Sequence, residues 1–207
     1  MDHKKIELAE KLRKYIHHYG IHDFTEEHLN RVGLTLNELK QHFTSREDIV
    51  RTIWEHERNC FEAIFTEYNF DGWNAIDILL IVGNEINERF FHVTPSVTMQ
   101  LAEAFPVLYE QHKNLRSEFI FEKFKINIEK GMEQGIYKDD VSSEMITRMC
   151  IARLNDIHNP EIYPPEGYTF ATIFNNMIDH VVKSVTNEEG KNYYKQRKQL
   201  YSVLNFR

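Results

Sequence analysis

Apolar side chains recur along this chain with the period of an α-helix. Leu8, Leu12, Tyr15, Ile16 and Tyr19 fall at i, i+4, i+7, i+8 and i+11, on one face of a helix ending near Gly20. Thr25 stands as a cap before Glu26 and Glu27, acids suited to a helix amino terminus, and Leu29 and Val32 define a short second helix stopped by Gly33. After this glycine, which can take the positive φ of a tight turn, Thr35 and Glu38 form a capping box ahead of Leu39 and Phe43 and start a third helix. Ser45 and Asp48 open a fourth. Its stripe of Ile49, Val50, Ile53, Trp54, Phe61, Ile64, Phe65 and Tyr68 continues for about five turns.

Periodic apolar segments then run from Trp73 to Phe91, Ser96 to Glu103, Pro106 to Gln134, Val141 to Asp156, Tyr168 to Val185 and Glu188 to Leu204. GIYKDD reads as a turn, and HNPEIYPPEG as a loop because three prolines interrupt it. The fold class expected is all-α: an amino-terminal three-helix domain, residues 1–47, on a larger helical domain, residues 48–207. Only 8 Gly and 5 Pro in 207 residues agree with helices rather than many short strands and tight turns.

Composition narrows the function. The longest apolar stretch, AIDILLIVG, contains Asp77 and falls far short of the ~20 residues that span a bilayer, and the first residues alternate charge with apolar side chains. A soluble cytoplasmic protein with no membrane partner is expected. Cys60 and Cys150 read as two reduced, buried thiols. His17 and His18 are sequential and point apart on a helix, so HHYGIH and nearby His28 read as solvated histidines and no metal or cofactor is implied. Neither a Gly-rich phosphate loop, a GxSxG elbow nor an HExxH motif occurs, which argues against an enzyme.

Two short helices joined by a turn at Gly33, with a preceding helix to pack on, meet the description of a helix-turn-helix, although any compact three-helix unit shows the same spacing. The segment FTEEHLNRVGLTLNELKQHFTSREDIV resembles the TetR family of bacterial transcriptional regulators in its glycine turn, the capped helix that follows, the His42-Phe43 pair and the Ser-basic-acidic opening of the fourth helix. GMEQGIYKDDVSSEMITRMC is similar to the family's turn and helix after its long central helix, and the last two helices resemble its dimerisation and tail helices. In coarse form the resemblance covers the whole chain, with specific motifs confined to residues 20–50.

The resemblance implies a homodimer that holds a palindromic double-stranded DNA operator and is released from it, as a repressor, by a small-molecule effector. Carried over singly, Thr35, Leu36, Asn37 and Gln41 would face base edges, and Thr25, Lys40, His42 and Arg46 would lie near phosphates. Lys40 stands where the family usually has a phosphate-binding Tyr, and Asn37 where a small residue is common. Acidic Glu26 and Glu38 also lie close to the expected DNA surface, Glu38 serving either the capping box or a cytosine.

Charge opens a second reading. The net charge is −7, and residues 1–50 hold 8 Lys/Arg against 9 Asp/Glu, a weak footprint for DNA binding. An all-helical protein-interaction module that has lost DNA binding is the alternative. In the larger domain, Phe61, Phe65, Tyr68, Trp73, Phe90, Tyr109, Phe119 and Phe124 are expected to line an apolar effector cavity between the fourth and eighth helices, the competing view being a filled core. Dimer contacts are expected from Met145 and Met149 and from Phe170, Phe174, Met177, Ile178, Val181 and Val185, a stripe wider than one neighbouring helix would cover.

Overall fold

A computed structural model describes residues 3–20, 25–90, 95–164 and 166–204, without the side chains of residues 17, 18, 95, 96 and 201–204. His22, the last histidine of HHYGIH, and Phe91 lie outside the described residues, as do the side chains of His17 and His18. The helices are α1 (His3–Tyr19), α2 (Glu26–Arg31), α3 (Leu36–His42), α4 (Arg46–Glu67), α5 (Ala75–Phe90), α6 (Pro95–Ala104), α7 (Pro106–Glu133), α8 (Ser143–Asp156), α9 (Phe170–Val185) and α10 (Glu188–Leu204). The fold is all-helical, and its one β-type contact among the described residues is an isolated bridge between Tyr137 and Thr186. No helix among these residues is long and apolar enough to cross a membrane.

Local chemistry sets the helix starts. Thr25, Thr35, Ser45, Ser142 and Thr169 each accept a hydrogen bond from a backbone N–H in the first turn of the following helix, which satisfies one of the donors that a helix terminus leaves over. Gly33 sits at φ 69°, the left-handed conformation that turns the chain between α2 and α3. Caps also shorten three of the expected helices. Asn74 Oδ1 accepts from the Ile76 N–H at 2.9 Å, so α5 begins after Trp73, and Thr169 and Ser142 place Tyr168 and Val141 outside α9 and α8.

The interior divides into three apolar clusters. The first joins α1, α2 and α3 to the first half of α4 through Leu8, Leu12, Leu29, Leu39, Val50 and Trp54, and extends to Val97, Leu101 and Leu108 of α6 and α7. The expected boundary at residue 47 therefore falls inside α4, whose first half belongs to the amino-terminal core. The second cluster gathers α5, α7, α9 and α10 around Ile76, Ile128, Val182 and Tyr194. Here α10 is fastened to α5 through a buried acid: Asp77 accepts from the Tyr193 hydroxyl and from Arg197 Nε, both at 2.6 Å. The third lies between α4, α5 and α9 around Ile64, Phe90, Phe174 and Met177.

Packing within one chain accounts for the α9 stripe. Phe174, Met177, Val181 and Val185 are buried within one chain, and Phe170, Phe174, Met177, Ile178 and Val181 face an internal cavity. The stripe is wide because α5, α8 and α10 all pack on this helix, so its width needs no second subunit. Met145 and Met149 of α8 are instead 64% and 55% exposed. The cysteines divide as well: Cys150 is buried, whereas Cys60 is only half-buried, with Sγ 3.6 Å from His56 Nε2. His28 is half-buried and stacks on the Tyr19 ring at a centroid distance of 5.1 Å, so it is not the solvated histidine expected.

Candidate functional site

The amino-terminal unit presents α3 at its surface. Thr35 Oγ1 accepts from the Glu38 N–H at 3.2 Å, and Glu38 Oε2 accepts from the Thr35 N–H and hydroxyl at 3.0 and 2.9 Å. The capping box is thus closed, and the Thr35 hydrogen bonds hold the Glu38 carboxyl below its ordinary value. Asn37, Lys40 and Gln41, at i, i+3 and i+4, share one exposed face, and Thr25, Thr35 and Arg46 are exposed as well. Leu36 is half-buried against the amino-terminal core, and His42 is half-buried at the last turn. Leu36 therefore anchors α3 more than it offers an edge to a ligand.

Ion pairs inside the unit account for much of its acidity. Glu7 meets Lys4 and Lys11 at 3.0 and 3.1 Å, Glu27 meets Arg31 at 2.8 Å, Glu47 meets Arg51 at 2.7 Å, and Asp48 meets Lys5 at 2.9 Å. Among the described residues no acid lies within ion-pair distance of Lys40, which is exposed on the same face as Asn37 and Gln41.

Behind this unit lies a largely apolar cavity of about 140 Å³. Phe61, Phe65, Phe90, Phe119 and Phe124 line it, and Phe61 stacks on Phe90 at 4.5 Å. Three expected aromatics stand elsewhere. Tyr68 is the C-cap of α4, where the helix direction ends, and its hydroxyl donates to Glu85 at 2.5 Å. Trp73 lies in the α4–α5 connection, edge-on to Phe70, and Tyr109 packs against Trp54 in the amino-terminal core. The lining includes Thr98 and Leu101 of α6, and it reaches farther than the helices expected to hold it, through Arg13 and Ile16 of α1 and the α9 side chains named above.

Polar groups in this lining escaped the sequence reading. Glu57, His112 and Arg116 face the cavity. His112 stacks on Trp54 at 5.1 Å, and an Arg58 guanidinium N–H donates to its Nδ1 at 3.0 Å, which leaves the imidazole neutral. Burial, helped by the nearby Arg116 and Arg58 charges, pushes its pKa down to about 2. Burial likewise raises the Glu57 carboxyl and lowers the Arg116 guanidinium from their ordinary values. The available signal was helical: His112, Arg116 and Lys123, at i, i+4 and i+11, sit on the same face of α7 as Phe119, where a simple core helix would be apolar.

One helix joins the two places. α4 starts at the Ser45 cap beside α3, packs Ile49, Val50 and Ile53 into the amino-terminal core, and carries Glu57, Phe61 and Phe65 to the cavity. α1 touches both as well, because Arg13 lines the cavity while pairing with Glu10 at 2.8 Å and approaching Glu57 at 3.9 Å.

Neither protein-family models nor curated proteins give a match to this sequence. Solved structures do. A TetR-family transcriptional regulator from Agrobacterium tumefaciens superposes with a TM-score of 0.66 at 17% identity, over 89% of this chain and 98% of that one. A TetR-family regulator from a Rhodococcus species gives a TM-score of 0.61 at 11% identity, over 90% and 100%. The ketosteroid transcriptional regulator of Mycobacterium tuberculosis gives 0.54 at 16% identity, over 91% and 97%. Matched nearly end to end at these low identities, the chain has the fold of the TetR-family transcriptional regulators.

Proposed function

We propose that this protein is a dimeric, non-enzymatic transcriptional regulator that holds operator DNA through α3 and is controlled by a small molecule bound in the cavity. The observation that carries this reading is the exposed face of Asn37, Lys40 and Gln41 on a capped helix, coupled through α4 to an interior space. Asn and Gln side chains can pair bidentately with adenine, and Lys40 and Arg46 would neutralise phosphates. Two such helices related by a two-fold axis would read half-sites about one DNA turn apart, hence a palindromic operator. The partner surface is drawn from α8, where exposed Met145 and Met149 offer the apolar contact that α9 spends internally.

Release follows if the effector binds the DNA-incompetent arrangement of α1 and α4 more tightly than the competent one, since equal affinity shifts nothing. The test is selection of bound sequences from a random duplex pool, followed by anisotropy titrations. Lys40→Ala should weaken binding to all sequences and lower the salt slope by about one, while Gln41→Ala should relax sequence preference. Wild-type protein that selects no sequence and binds no duplex at low salt would instead favour a protein-interaction module.

A further inference from the structure

We propose that the cavity ligand is a small amphipathic monoanion, an aromatic carboxylate whose oxyanion is held by Arg116 and whose ring lies among Phe61, Phe65, Phe90, Phe119 and Phe174. This inference rests on the reading of the cavity as an effector site.

The charge facing the space is mostly positive. Arg13, Arg116 and Lys123 line it with positive charge, and Glu57 is the acid among the lining residues. His112 is held neutral, because its Nδ1 is occupied by Arg58 and its own protonation would place a third cation beside two arginines. Arg13 is already engaged by Glu10 and by the Arg89 carbonyl, and Lys123 by Glu122 at 3.3 Å.

Arg116 is different. A guanidinium carries five N–H donors, and among the described residues its hydrogen-bond partner is a neutral amide oxygen, Asn155 Oδ1 at 3.2 Å. No carboxylate among these residues lies within ion-pair distance of it. Glu57 is the negative group near it, and that acid's ion pair, at 3.9 Å, is with Arg13. A cation in a mostly apolar wall with most of its donors unspent favours an incoming carboxylate, which a guanidinium can grip through two parallel hydrogen bonds.

Size and shape select the rest of the molecule. A cavity near 140 Å³ matches the space that a single benzene-sized ring fills. Stacked Phe61 and Phe90 give it flat walls, and Lys123 lies over the Phe65 and Phe119 rings at 5.9 and 5.5 Å, which closes one side with a second positive charge. On α7, Arg116 precedes Phe119 by one helical turn, so a carboxylate on a one- or two-carbon arm would reach the guanidinium while its ring meets the phenylalanines.

Calorimetric titration of the full chain with three matched series tests this: phenylacetate and 3-phenylpropanoate, their primary amides, and 2-phenylethylamine. The acids are expected to bind at least about tenfold more tightly than the amides, with the amine weakest, since a hydrogen bond to a charged group outweighs a neutral one. Arg116→Met should abolish the preference for acid over amide without weakening the amide, and Arg116→Lys should keep part of it. Should the methionine variant fail to fold, Glu57→Gln gives an independent reading, because removing the nearby negative charge should tighten the acid and leave the amide unchanged. Amides or amine binding as well as the acids would overturn the anion assignment and leave the effector site standing. Acid preference undiminished in Arg116→Met would overturn the role of Arg116. No heat from any series would overturn both the anion and the cavity as an effector site.

Discussion

The cores beneath α3 and around the cavity are built from similar side chains to opposite ends. Under α3, Leu8, Ala9, Leu12 and Leu29 have no accessible surface, and short helices are fixed to one another by full packing and closed caps. Around the cavity, Phe61, Phe65, Phe170 and Leu154 are only partly buried although they sit inside the larger domain. The first region behaves as a rigid unit, because close-packed interiors transmit displacement rather than absorb it. The second keeps unfilled contact, so a ligand can supply what the chain does not. Apolar richness alone does not distinguish a core from a binding site; the polar groups caught among the apolar ones do.

This contrast can be broken by substitution. Leu12→Ala removes a fully buried side chain from the filled region and should cost about 2–5 kcal/mol in denaturant unfolding. A loss well under 1 kcal/mol would mean that the amino-terminal core is as loose as the cavity. Next in size, Gly83→Ala should stabilise by roughly 0.5–1 kcal/mol, since glycine is poor in a helix interior. Its added Cβ would lie 4.0 Å from the nearest Phe174 ring atom, an ordinary contact at the cavity wall. Destabilisation there would show that the wall has no room to spare.

A third test, read against pH, concerns the seam between the regions. His56 of α4 lies between Cys60 and Glu10, with Nε2 3.3 Å from the Glu10 carboxylate, and these two neighbours raise its pKa from the ordinary 6.5 to about 9. A folded-state pKa above the unfolded one makes the charged form a stabilising contribution that is complete below pH 6.5 and is lost as pH rises through 9. Unfolding midpoints should therefore fall gradually between those values, and His56→Gln should flatten the slope. An NMR titration that places the His56 transition near its ordinary value would remove this coupling of α1 to α4.

What could be read in the sequence was what is decided locally. The Thr35–Glu38 box, the Gly33 turn and the stripe of α4 depend on residues within a few positions of one another, and each formed where the pattern put it. The α9 stripe shows the opposite case. Its periodicity correctly marks one broad buried face, but periodicity does not say whether the covering surface belongs to α5 and α10 or to a second chain. Tyr68 and Trp73 fell outside the cavity because helix ends, set by Tyr68 as C-cap and by Asn74, redirect side chains that a continuous stripe would align. Arg116 was hidden among the charges of a long amphipathic helix, since which of these face inward depends on how α7 is rotated by α5 and α8.

The fastening of α10 to α5 has a consequence in time. Asp77 lies 116 residues before Tyr193 and 120 before Arg197, the two groups that satisfy its carboxylate. During synthesis at about 5–20 residues per second, that separation corresponds to a delay on the order of ten seconds. Until α10 leaves the ribosome, α5 carries a carboxylate that would be costly to bury unpaired. The α1–α4 unit can condense early, while the larger domain must stay open at this seam until its last helix arrives. In the growing chain the α1–α4 unit is thus ready before the seam between α5 and α10 can close.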